Sequence, residues 1–238
     1  MSEWAPKRFW KITEVSEEAG GYAVTLDGRP VRTPAKAPLI VPTRALAEMI
    51  AAEWDAQEDK VDPRGMPVTR GANAAIDKVA VQHAEVADML AAYGDSDLLC
   101  YRADSPAELI ARQAAGWDPL LDWLAAHYGV RLDPRTGIMP APQSEAALAR
   151  LRAEVHGMDA FELAAFHDLV SLSGSLVIGL AATCDVQPIE DLWALSRIDE
   201  HWQAEQWGVD DEAAEAEEIK RRSFLDAKRF YDALHPST

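Results

Sequence analysis

The sequence predicts an α+β protein, with a small N-terminal antiparallel β-domain over residues 1–42 followed by a larger all-helical domain over residues 43–238. Two observations carry this. Strand-like segments punctuated by tight-turn signals occupy the N-terminal stretch, and from Thr43 onward the apolar period becomes helical and stays so. Strands and helices are segregated along the chain, which points to α+β packing and away from repeated βαβ units.

In the β-domain, Arg8–Val15 alternates imperfectly, Gly20-Gly21 supplies a turn, and Tyr22–Leu26 runs into Asp27-Gly28. That dipeptide is a strong hairpin signal because the tight turn needs positive φ at both central residues. Pro30, Pro34 and Pro38 cannot donate to a ladder, so the strands around them are short or lie at an edge. Leu39-Ile40-Val41 adds another strand.

Thr43 is placed to cap a first helix with Leu46, Met49, Ile50 and Trp54 on one stripe. Pro63 and Pro67 bound a loop, and a second helical pattern runs from Ala75 to near Gly94. Ser105-Pro106-Ala107-Glu108 reads as a capping box with proline at the first helical position. Asp118-Pro119 inside the helix beyond it marks a kink or a restart. Gly129–Gln143 is a connector; short strands are expected near 98–102 and 130–140. Ser144–His156, Asp159–Cys184, Pro188–Trp207 and Asp210–Leu234 complete the helices. The second of these is apolar nearly all round in its second half, as a central buried helix would be, with Ser171, Ser175 and Gly179 as a small-residue seam.

The formal net charge of −17 and a pI near 4.7 disfavour nucleic acid and anionic lipid as partners. They suit either plain solubility or a partner with a basic surface. Cys100 and Cys184 share no metal-like spacing and read as isolated thiols of a reducing compartment. The N-terminal residues carry neither a signal core nor a basic amphipathic stretch, and the apolar run Leu169–Cys184 falls short of a membrane span. The expectation is a soluble, cytoplasmic protein without membrane insertion.

Catalytic signatures are missing from the sequence. It holds neither a GxxxxGK[ST] phosphate loop nor a GxGxxG fingerprint. Ser173-Gly174-Ser175 lacks the frame of a nucleophile elbow. His201 and Glu205 are spaced for a metal on one helix face, but no convergent third or fourth ligand accompanies them. No metal set or catalytic constellation stands out, which is consistent with a binding role. The competing readings are an enzyme with an unrecognised acidic site near Glu200 and His201, or an interaction module of some other complex.

On the Pro188–Trp207 helix, Ile189, Leu192, Trp193, Ser196, Glu200, Gln203 and Trp207 share a stripe. Glu200 then lies between Trp193 and Trp207. A carboxylate on an apolar stripe must be paired or reach water. It either bridges to an arginine of this chain or waits for a basic group on a partner.

Several ordered segments resemble the ATP synthase assembly chaperones that bind the alpha subunit of the F₁ sector. They include Arg8-Phe9-Trp10-Lys11, the Asp27–Pro34 turn, Glu53-Trp54-Asp55-Ala56-Gln57 and Met66-Pro67-Val68-Thr69-Arg70. To these the helical part adds Tyr93–Arg102, Gln113 with Trp117-Asp118-Pro119-Leu120, Ser196–Glu200 and Glu205-Gln206-Trp207-Gly208. The resemblance implies no cofactor, and binding of the unassembled alpha subunit, which is shielded until it meets beta. It places the family's acidic functional position at Asp199 or Glu200, the helical wheel favouring Glu200, and carries over Trp54. With Trp193 and Trp207 these are the expected partner-binding residues. A bacterial member is implied, eukaryotic relatives being mitochondrial.

Overall fold

The computed structural model describes residues 7–136 and 142–236, and its architecture is α+β, a small N-terminal antiparallel sheet followed by a mostly helical region. Two compact units emerge, one drawn from residues 1–83, 160–165 and 229–238, the other from 84–159 and 166–228.

In the first unit, β1 (Thr13–Glu18) and β2 (Gly21–Leu26) form an antiparallel hairpin from Thr13↔Leu26 to Glu18↔Gly21. The short strands β3 (Arg29–Pro30) and β4 (Ile40–Val41) pair with the opposite edge of β2. Asp27 and Gly28 both take positive φ, 49° and 75°, as the hairpin turn demands. The Asp27 carboxylate also accepts the backbone N–H groups of Ile12 and Lys11, which hold its pKa below the ordinary value.

Helix α1 (Arg44–Asp55) packs on β1 and β2 through buried Leu46, Ala47 and Ile50. Thr43 caps it, its hydroxyl oxygen 3.2 Å from the Leu46 N–H that it accepts. At the far end Glu53 accepts the N–H groups of Val68 and Thr69, both at 2.7 Å, and so caps α2 (Pro67–Ala74). Helix formation therefore starts at Pro67 and not near Ala75, because proline fits a first-turn position where no N–H is needed. A π-helical turn over Ala75–Val79 interrupts the pattern before α3 (His83–Ala91). Trp10, Val24, Leu39, Met66 and Phe230 close the core. Because α1 packs on the sheet and α2 packs on α1 within one shared core, this unit reaches well past residue 42, where the sequence placed a boundary.

The second unit is built on α4 (Ala107–Tyr128), whose Trp117, Leu120, Leu121 and Leu124 are fully buried. The helix runs unbroken through Pro119, contrary to the expected kink or restart. Pro119 sits on the exposed face, where its missing hydrogen bond is tolerated, while its neighbours anchor the helix. The expected capping box is also absent: Pro106 is the cap residue, and Ser105 Oγ turns to Asp104 at 3.2 Å. β5 (Tyr101–Arg102) pairs in parallel with β6 (Arg135–Thr136), giving both expected short strands. The remainder of the second expected strand, residues 137–140, lies outside the described residues.

Beyond α5 (Glu145–His156), two expected long helices are each broken in two. Asp159–Cys184 becomes α6 (Ala160–Ser173) and α7 (Leu176–Thr183), hinged at Gly174 with φ 74°. Ser175 is the cap of α7, not a member of a continuous seam. Gly179 does permit close approach, since a Cβ there would lie 2.6 Å from Val170 Cγ2 and 3.0 Å from Phe166 Cε2. Pro188–Trp207 becomes α8 (Ile189–Leu195) and α9 (Ile198–Trp207), separated at Ser196 and Arg197. Helix α10 (Asp211–Leu234) ends the fold.

Asp97 organises the α6–α7 break. It is completely buried, and its carboxylate accepts from Ser175 Oγ at 2.7 Å, Val177 N at 3.0 Å and Leu99 N at 3.0 Å. Burial pushes its pKa up to about 6 against the pull of these donors.

Candidate functional site

Within the second unit a groove of about 430 Å³ opens between α9 and the segment leading from β5 into α4. Its apolar walls are Tyr101, Pro106, Leu109, Trp202 and Trp207; Asp104, Asp199 and Gln203 add polar groups.

Its geometry rests on Gln113, a buried glutamine of α4. The side-chain oxygen accepts the Ala103 N–H at 2.9 Å, and the nitrogen donates to Asp199 Oδ1 at 2.7 Å. One amide thus ties the β5–α4 segment to α9. Trp117 adds a second tie, donating its indole N–H to the Leu195 carbonyl at 2.8 Å. Beside it, Arg102 is held over the Trp117 ring and bonded to the Leu99 carbonyl and Asp118. Gly116 lets α4 approach closely, since a Cβ there would lie 2.8 Å from Leu195 and 2.9 Å from Ile198. Arg112 covers the Trp202 ring at 5.0 Å and pairs with Glu205 at 2.7 Å.

The break between α8 and α9 redistributes the expected partner-binding residues. Trp193 is buried, 5.4 Å from the Phe224 ring, with the Arg197 guanidinium over its face. Trp207 is 79 % exposed at the groove's end, where Gly208 stops α9. They share no stripe, and Glu200 does not lie between them; a wheel drawn across a broken helix loses its phase at the break. Glu200 points to the surface and pairs with Arg197 at 2.9 Å. Asp199, and not Glu200, lines the groove. Trp54, in the first unit, is half-buried and edge-on to Trp10 with centroids 5.3 Å apart. The structure therefore joins Asp199 and Trp207 in one groove and sets Glu200 and Trp193 outside its lining.

The internal-arginine explanation of Glu200 matches the observed pair. His201 faces Glu217 at 2.9 Å and is not part of the groove. Among the described residues, no cluster of three or more His, Cys, Asp or Glu side chains is arranged to hold a metal ion, and no helix is long and apolar enough to cross a membrane.

Sequence reasoning misses Gln113, Trp202 and Asp97 as organising residues. Gln113 and Asp97 lie within family-like motif segments, but their partners are 86 and 78 residues away along the chain, which no local spacing reveals.

A family model described as ATP12 chaperone protein matches residues 7–125. The mitochondrial protein atp12 of Schizosaccharomyces pombe is 28 % identical over 230 residues, covering 91 % of this chain and 79 % of the relative. The crystal structure of Atp12 from Paracoccus denitrificans superposes with a TM-score of 0.94 at 49 % identity, covering 98 % of this chain and all 100 % of that one. The Atu1473 protein of Agrobacterium tumefaciens gives 0.93 at 42 % identity, over 96 % of this chain and 86 % of its own.

Proposed function

The chain belongs to the ATP12 chaperone family, whose work is ATP synthase assembly, and on that premise we propose that it binds the unassembled alpha subunit of the catalytic head and shields it until it meets beta. The observation that supports this most is the ordered family match across half the chain, joined to a fold shared with Atp12 at 49 % identity. An isolated subunit exposes apolar surface destined for burial, and such surface drives aggregation. Covering it reversibly needs shape, apolar contact and charge, and no bond-making step. The chain acts by binding alone, in the cytoplasm of a bacterium.

Asp199, Glu200 and Trp207 are the partner-contacting residues of this reading, all carried at or near the surface of α9. Trp193 acts from beneath, through Arg197, which lies over its ring and pairs with Glu200. Trp54 contributes on the first unit.

The test is a tagged pull-down from gently lysed bacterial cells at low and moderate salt, read by mass spectrometry. Enrichment of the alpha subunit without stoichiometric beta is the expected result. Recovery of the intact catalytic head, or of an unrelated complex, would overturn the alpha-subunit reading. Glu200→Lys is expected to abolish capture while leaving helical signal and melting temperature unchanged; a large fall in melting temperature would assign Glu200 a structural role.

A further inference from the structure

We propose that the α9 groove is the receptor for a short extended client segment that pairs one lysine or arginine with apolar neighbours, the cation going to Asp199 and the apolar side chains to Trp202, Trp207, Leu109 and Pro106. This deepens the chaperone reading and rests on it for the identity of the client.

The occupant's chemistry is set by the charges that remain once internal pairs are taken out. Arg102 is engaged by Asp118 at 2.7 Å, and Arg112 by Glu205 at 2.7 Å. Both guanidiniums are also stacked on tryptophan rings, which holds them in place. Asp104 and Asp199 remain as the groove's carboxylates without a cationic partner in its lining. Asp199 takes a neutral amide donor from Gln113 on Oδ1, an interaction that orients the carboxylate without cancelling its charge. The groove therefore presents fixed negative charge beside aromatic surface, set in a chain of net charge −17. An anionic segment would be repelled, and a purely apolar one would leave Asp199 facing apolar atoms without compensation.

The apolar half is equally specific. Trp207 is 79 % exposed at one end of the groove, and Val209 just beyond it is 70 % exposed. Such surface suits contact with a partner, and an indole face also accepts a cation. A volume of about 430 Å³ lies within the small-ligand range and holds a few side chains, not a folded element. With Gln113 locking both walls, the groove is built before the segment arrives.

The test titrates the full chain with acetylated, amidated pentapeptides by calorimetry, then repeats the alpha-subunit pull-down with the same variants. The probes are Ala-Leu-Arg-Leu-Ala, Ala-Leu-Glu-Leu-Ala and Ala-Ala-Arg-Ala-Ala. The first is expected to bind, and each of the others to bind at least about tenfold more weakly. Trp207→Ala and Asp199→Asn are each expected to weaken the first by about tenfold. Asparagine keeps an acceptor for Gln113, and unchanged melting of both variants would separate recognition from folding. Failure of the first peptide to bind, equal binding of the glutamate peptide, or indifference to both substitutions would overturn the groove proposal. If wild-type chain retains the alpha subunit and both variants retain it equally, the groove proposal falls while the chaperone reading stands. If the arginine peptide binds as expected but no alpha subunit is retained, the groove chemistry stands and the client assignment falls.

Discussion

At the scale of single residues, Asp97 and Arg197 show how much depends on one buried or half-buried polar group. Asp97 is held in the native state with a pKa of about 6, above the 3.8 of a free aspartate, because burial disfavours its charge. Native protein therefore binds more protons than unfolded protein between these values, and this group's contribution to stability falls as pH rises from about 4 to 6 and then levels off. Urea denaturation between pH 4 and 7 is expected to show that descending component in the wild type and to lose it in Asp97→Asn. The substitution also places an amide nitrogen against backbone donors and costs about 2 kcal/mol at pH 7. Arg197, with a side chain 13 % exposed, stacks on Trp193 and donates to Ser196 Oγ at 3.1 Å. Arg197→Ala is expected to cost about 2 kcal/mol in denaturant titrations, against less than about 1 kcal/mol for Glu200→Ala, the exposed partner of the same pair.

At the scale of elements, helix interruptions decide the architecture. Pro119 lies mid-helix on the exposed side of α4, where the ladder lacks one donor. Pro119→Ala is expected to stabilise the protein by about 1 kcal/mol or more, seen as a raised melting temperature. The opposite outcome is expected in α7. Gly179→Val would push a branched side chain into Val170 and Phe166 and cost about 2 kcal/mol or more, a loss that circular dichroism melts would register. Of the four helical patterns in the C-terminal half, Asp159–Cys184 and Pro188–Trp207 are each split, at Gly174-Ser175 and at Ser196-Arg197. At Gly174 the left-handed φ of 74° makes the turn possible, and the buried Asp97 carboxylate caps the first turn of α7.

At the scale of the whole molecule, the net charge of −17 would, on the proposed reading, shape encounter with a basic client more than affinity. Association with a basic client surface, measured by stopped-flow mixing, is expected to slow by about tenfold or more between about 0.02 and 0.3 M salt, with a much smaller change in dissociation. A rate indifferent to salt would leave the charge with a solubility role only.

Much of this molecule was legible in its residues alone. The hairpin at Asp27-Gly28, the Thr43 cap and the switch from strand to helix period are local, because turn geometry, capping and amphipathic spacing act over a few residues. The family resemblance was likewise written in ordered short motifs. Tertiary structure alone decided which of Asp199 and Glu200 enters the groove, and why Trp207 is open while Trp193 is buried. Those outcomes turn on a helix break at Ser196 and Arg197 and on Gln113 reaching across from α4. Periodicity assumes an unbroken helix, and a hydrogen bond between residues 86 positions apart leaves no mark in the spacing of either segment.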